Sequence, residues 1–204
     1  MSELTDKLNY ILDWLKLTDA ELSESYNPGL TRQEINALTK DFPFQLSEEF
    51  IELYQWRNGF IWNDYNLITI PFLFPEQLYQ GSPIVFSVLQ ESVIIHNQML
   101  SFSSDALDLE YSWNRKWFPI GYHEGKRILH IIGDLDPSPV YLWDIVFVEP
   151  IRVYKNLTCM ISVIAECCER GLYKTNDEDS DDGTPRIDGN KLDIEKEIYQ
   201  KYNS

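Results

Sequence analysis

Cations are scarce in this chain. Its 204 residues carry 17 Lys and Arg against 33 Asp and Glu, a formal net charge of −16. A field of that sign repels phosphate backbones and anionic lipid headgroups and attracts basic surfaces. Nucleic acid and membrane surfaces are thereby disfavoured as partners, and a basic protein is favoured. Cysteine is scarce too: Cys159, Cys167 and Cys168 are odd in number and fit no zinc spacing, which predicts reduced thiols in a reducing compartment. Long hydrophobic runs are missing, and stretches such as Ile128 to Ile132 are far too short to cross a bilayer. The start, Met1-Ser2-Glu3-Leu4, offers an acid where a secretion signal needs a basic region followed by an apolar one. A cytoplasmic protein is the expectation, and the sequon Asn156-Leu157-Thr158 then never meets a glycosylating enzyme.

Reactive motifs are also lacking. The chain contains no Gly-x-Ser-x-Gly elbow, no Walker loop, no dinucleotide fingerprint and no His-Glu-x-x-His. His96, His123 and His130 lie far apart in sequence, and a lone histidine is more often a surface or core residue than a catalyst. Asp134 and Asp136, with Asp144 further on, supply hard oxygen donors of the kind a divalent cation wants. Asp beside Gly133 and Pro137 is equally what a turn between strands uses, and no twelve-residue calcium loop follows. Glu91 and Glu166 fall on the solvent side of their helices by phase, so neither is expected to hold a proton as a general acid. Cys167-Cys168 has no neighbouring base and reads as core filling. The sequence therefore predicts no catalytic residue, no metal and no cofactor, with a metal-dependent enzyme built on Asp134, Asp136 and Asp144 as a remote alternative.

What the chain does have is apolar and aromatic material, at 44% and 14% of residues. Leu4, Leu8, Ile11, Leu12 and Leu15 repeat at helical spacing over residues 3–16. Thr18 with Glu21, and Thr31 with Glu34, are capping-box candidates; Pro43 ends the second of these helices and Ser47 caps the next. Asn58-Gly59 closes that one, with Gly59 in the left-handed position. A strand is expected at Leu67 to Phe72 and a helix from Ser82-Pro83 to about Met99, a segment whose β-branched Val85, Val88, Val93, Ile94 and Ile95 also allow strand in part. Trp117 to Tyr122, Arg127 to Ile132 and Val140 to Phe147 then read as strands separated by turns at 122–125 and 133–139, with Ile151 to Tyr154 at the sheet edge. Thr158 opens a helix that Gly171 ends, and Lys191 to Tyr202 is a last helix beyond the acidic stretch 176–183. Helices first, then a strand meander, then a helix is the order of an α+β fold with a central, mostly antiparallel sheet flanked by helices.

Two stretches combine aromatics with acids. Trp62, Asp64 and Tyr65 form one; Asp105, Asp108, Glu110, Tyr111 and Trp113 form the other. Rings that fill a pocket while carboxylates steer approach suit capture of a basic protein surface. The competing reading is that Trp62 and Trp113 close the core under loops.

The run Gly29-Leu30-Thr31, Glu34-Ile35, Leu38, Phe42-Pro43, Leu46-Ser47-Glu48-Glu49-Phe50, Leu53-Tyr54 and Asn58-Gly59 resembles the opening of the SUKH superfamily of Smi/Knr type. Trp117-Phe118-Pro119-Ile120-Gly121, Pro139-Val140-Tyr141-Leu142-Trp143 and Asn156-Leu157-Thr158 are similar to its later strands and closing helix. Leu46 stands where that family usually has Pro, and Gly133 where an Asp commonly ends the second strand. The resemblance covers about residues 29–171, leaving 1–28 as an N-terminal helical extension and 172–204 as an acidic linker with a C-terminal helix. It implies a non-catalytic protein-binding domain: an immunity protein that neutralises a toxin by binding it, or a regulatory scaffold of wall-stress signalling. The acid excess fits the first, since nuclease toxins are commonly basic.

Overall fold

The computed structural model describes residues 2–18, 23–60, 84–105, 113–123, 127–145, 149–174 and 186–204. Its architecture is the expected α+β one. Helix α1 (Glu3–Thr18) buries Leu4, Leu8, Ile11, Leu12 and Leu15, the stripe read from the sequence. Helix α2 (Arg32–Thr39) opens on a full capping box: Glu34 N–H donates to Thr31 Oγ1 at 3.2 Å, and Thr31 N–H donates to the Glu34 carboxylate at 2.7 Å. Helix α3 (Glu48–Trp56) starts at the Ser47 cap and buries Phe50, Ile51, Leu53 and Tyr54. Three further helices are described: α4 (Leu89–Asp105), α5 (Leu157–Glu169) and α6 (Leu192–Asn203).

Strands β1 (Tyr26–Pro28) and β2 (Arg57–Phe60) pair antiparallel. The main sheet is antiparallel throughout, in the order β3 (Val85–Phe86), β4 (Trp117–His123), β5 (Arg127–Ile132), β6 (Val140–Asp144), β7 (Ile151–Tyr154). A short ladder of β8 (Tyr173–Lys174) and β9 (Arg186–Ile187) precedes α6. Strand alternation gives the sheet two faces. One carries Phe118, Ile120, Leu129, Ile131, Val140, Leu142 and Val153 into the main core shared with α1, α3 and α5. The other carries Ile128 and Trp143, which pack with Ile95 of α4 and with Trp113.

Two carboxylates of α3 hold helices together. Glu49 of α3 accepts from the N–H groups of Leu157 and Thr158, at 3.2 and 3.3 Å, and from the Thr158 hydroxyl at 2.6 Å, closing the N-terminus of α5. One turn on, Glu52 accepts from Thr5 N–H at 3.1 Å and from the Ser2 and Thr5 hydroxyls, closing the N-terminus of α1. Each carboxylate satisfies helix N–H groups that lack an intrahelical acceptor and sits at the positive end of a helix dipole.

Both helices outside the span 29–171 pack on α5. Ile198 of α6 is fully buried and the Tyr199 hydroxyl donates to Val153 O at 2.5 Å. Glu166 of α5, only 6% exposed, accepts from Lys201 Nζ at 2.6 Å, from Tyr202 OH at 2.9 Å, and from Arg170. It was expected on the solvent side of its helix; α6 covers it instead. Burial pushes its carboxyl upward, but the bonds from Lys201, Tyr202 and Arg170 together hold it below the usual carboxylate range.

Several local expectations are corrected. The helix foreseen from Ser82-Pro83 begins only at Leu89, because Val85 and Phe86 pair with Tyr122 and Gly121 as an edge strand. Asn58 Oδ1 then accepts from Leu89 N–H at 2.9 Å and fixes the helix start. Gly59 is left-handed, with φ 69°, but inside β2 rather than as a helix cap. A Cβ there would stand 2.4 Å from the Val88 nitrogen, so close approach of two backbones is what requires glycine. Asn156, not Thr158, caps α5. Thr18 is the last residue of α1 and its hydroxyl donates back to Trp14 O at 2.9 Å, while its expected capping partner Glu21 lies outside the described residues. The strand expected at Leu67 to Phe72 lies outside the described residues. Among those residues no helix is long and apolar enough to cross a membrane.

Candidate functional site: the aromatic face of the sheet

The sheet face away from the main core gathers rings from three strands. Register sets Tyr122, Ile128 and Trp143 in one row and Pro119, His130 and Tyr141 in the next. Trp117 stands diagonal to His130, with ring centroids 5.0 Å apart. Trp113, eight residues beyond the end of α4, sits over the group at 5.3 Å from Trp117, 5.3 Å from His130 and 6.3 Å from Trp143. Tyr141 stacks on His130 at 5.8 Å. Trp117, Tyr122 and Tyr141 keep partial exposure, whereas Trp113, Trp143 and His130 are buried. Edge-to-face pairs at these spacings add to the area they bury.

Histidine chemistry here is structural. Burial pushes the His130 imidazole down to about 3 against the weak pull of the Ile128 carbonyl, so it is neutral at pH 7, and its Nε2 has no partner. His96 of α4 is also buried; burial lowers it, partly offset by the Trp117 carbonyl 2.7 Å from Nδ1. Its ring meets Phe42 edge-on at 4.8 Å and stacks on Phe118 at 5.9 Å. Burial likewise raises the Cys167 thiol to about 12 and Cys168 above its ordinary value, so neither is a ready nucleophile.

The three aspartates do not come together as a cation site. Asp134, at φ 65°, accepts from Gln45 N–H at 3.0 Å and pairs with Lys116 at 2.8 Å; these bonds hold its carboxyl below the ordinary range. Asp136 accepts from Glu48 N–H at 3.3 Å, at the start of α3. Asp144 is buried at the far end of the hairpin and pairs with Arg127 at 2.9 Å. Among the described residues no group of His, Cys, Asp and Glu is arranged to hold a metal ion.

Of the eight residues singled out for partner binding, Trp113 is placed, buried against Ile95, Ile128 and Trp143. Asp105 closes α4. Trp62, Asp64, Tyr65, Asp108, Glu110 and Tyr111 lie outside the described residues. Sequence reading missed the grouping of Trp117, Tyr122, His130, Tyr141 and Trp143. The signal was present in the alternation within each strand, Ile128/His130 and Tyr141/Trp143, once the hairpin register is fixed.

A comparison with curated proteins finds no match. The family model for the SMI1 / KNR4 family (SUKH-1) matches residues 29–162, from the turn before α2 into α5, and so includes the whole five-stranded sheet while leaving out α1 and α6. The chain belongs to the SMI1 / KNR4 family (SUKH-1).

Proposed function

We propose that this protein is a non-catalytic, cytoplasmic binding module of the immunity type, which neutralises a basic toxin such as a nuclease by direct docking. The observation that carries this reading is the charge of −16 on a chain of this family. Such a surface draws a cationic partner in from solution and orients it before contact. Further support comes from Trp113, which is buried on the aromatic face of the sheet and follows the acids Asp105, Asp108 and Glu110 in sequence. Trp113, Asp105, Asp108, Glu110 and Tyr111, together with Trp62, Asp64 and Tyr65, are the residues we assign to partner contact.

Co-expression with the product of the adjacent gene, followed by affinity capture at low salt, tests the reading. Rescue of growth and co-purification are expected. An adjacent product that is neither toxic nor captured contradicts it.

A further inference from the structure

Helix α1 lies outside the span of the family match, and its inward face is fully used by Leu4, Leu8, Ile11, Leu12 and Leu15. The opposite face is made of Glu3, Asp6, Tyr10, Asp13 and Leu17, all exposed. At about 100° per residue these five fall within a sector of about 80°, centred opposite the buried stripe. Acids alone on such a face would be an ordinary solvated surface. Here two large apolar side chains share the sector, Tyr10 at 42% and Leu17 at 87% exposure. Their spacing of seven residues continues the line of Glu3, while Asp6 and Asp13 run parallel three residues on. That is the spacing of the a and d lines of a helix seam, about 20 Å long, with Glu3, Tyr10 and Leu17 on one line and the carboxylates of Asp6 and Asp13 on the other.

The charges limit what can cover this seam. In an antiparallel contact with a second copy, Asp6 would face Asp13 of the other chain, like against like in a partly dry interface. An anionic membrane is repelled for the same reason. Of the cations on α1, Lys16 pairs with Asp13 at 2.8 Å from the flank, and Lys7 also lies outside the stripe. Glu169 of α5 is exposed and close enough to Tyr10 to help raise its phenol pKa, after burial, so acid borders the seam on that side as well. We infer that the outward face of α1 docks a cationic amphipathic helix of a partner protein, with apolar side chains over Tyr10 and Leu17 and Lys or Arg against Asp6 and Asp13. This rests on the proposed reading of a basic partner and adds a second contact surface to it.

The test uses the full chain and a synthetic helical Lys/Leu amphipathic peptide. Binding is followed by calorimetry at low salt and by amide chemical-shift mapping. Three variants are compared with the parent: Y10S/L17S, D6N/D13N and, as a control of equal charge change on the exposed side of α6, D193N/E197Q. The expected result is a peptide footprint on residues 3–17, roughly tenfold weaker binding for Y10S/L17S, and a shallower salt dependence for D6N/D13N than for the control. All changed side chains are exposed, so unfolding is not expected, and the footprint on the parent stands independently of the variants. A footprint elsewhere, or equal affinity for parent and Y10S/L17S, overturns the α1 surface while leaving cationic docking in place. An absence of binding by any form at low salt overturns both.

Discussion

Acid should unfold this protein earlier than its carboxylates alone dictate, and His130 is the reason. Its imidazole is fully buried among the rings of Trp113, Trp117 and Tyr141, with the Ile128 carbonyl at 3.5 Å; the nearest ion pair on its strands, Arg127–Asp144, lies at the end of the hairpin. The folded pKa is about 3, while an unfolded histidine titrates near 6.5. Below 6.5 the unfolded chain therefore binds a proton that the folded chain refuses, so stability is full above that pH and drains away as the pH falls toward 3. From pH 7 to pH 5 the loss works out at about 2 kcal/mol, with about 1.4 kcal/mol more for each further unit down toward the folded value. His96, shifted in the same direction, adds to it. In His130→Leu this contribution disappears, and the cost at pH 7 is small because an unpartnered Nε2 is removed along with the ring. Urea unfolding of parent and variant, followed by tryptophan fluorescence at pH 7, 6 and 5, measures the difference. The variant should gain about 2 kcal/mol on the parent between pH 7 and pH 5. Stability curves that stay parallel would refute the burial argument.

Other perturbations have equally definite outcomes. Glu166→Ala strips the shared acceptor from Lys201, Tyr202 and Arg170, and should cost about 1–3 kcal/mol in thermal unfolding, with faster amide exchange along α6. Because the folded carboxyl lies below its ordinary value, this contribution is present above about pH 4.3 and vanishes as the pH falls through the folded value. Gly59→Ala forces a Cβ against the Val88 nitrogen at positive φ and should destabilise by more than about 1 kcal/mol, read from the urea midpoint. Leu8→Ala on the inner face of α1 should cost about 2–5 kcal/mol, which calorimetry of the purified chain would register as a lowered Tm.

Periodicity and capping chemistry made most of the scaffold legible. The stripe of α1, the Thr31–Glu34 box, the Ser47 cap and the three-strand meander all depend on residues within a few positions of one another, where local rules decide. Features set by distant partners were not decided by the local pattern. Val85 and Phe86 became strand because β4 offered them hydrogen bonds, and Asn58 fixed the start of α4 from 31 residues away. Glu49 and Glu52 of α3 each close the N-terminus of another helix, which the pattern within α3 does not show. Glu166 looked solvent-facing because α5 alone cannot show that α6 returns over it. For the candidate site, alternation indicated the rings of each strand, but gathering Trp113, Trp117, His130, Tyr141 and Trp143 on one face requires the hairpin register. Gly133, unusual for the family in sequence terms, has a simple packing cause: a Cβ there would lie 2.2 Å from the Phe44 ring.

The central claim is that acid excess draws this protein onto a positively charged macromolecule. Its most direct test is the dissociation constant for the product of the adjacent gene, measured from low ionic strength up to about 0.15 M, where the Debye length shortens to about 8 Å. The account predicts affinity that weakens steeply with salt, through a falling association rate. A constant that does not respond to salt, or tight binding to an acidic partner instead, would contradict it.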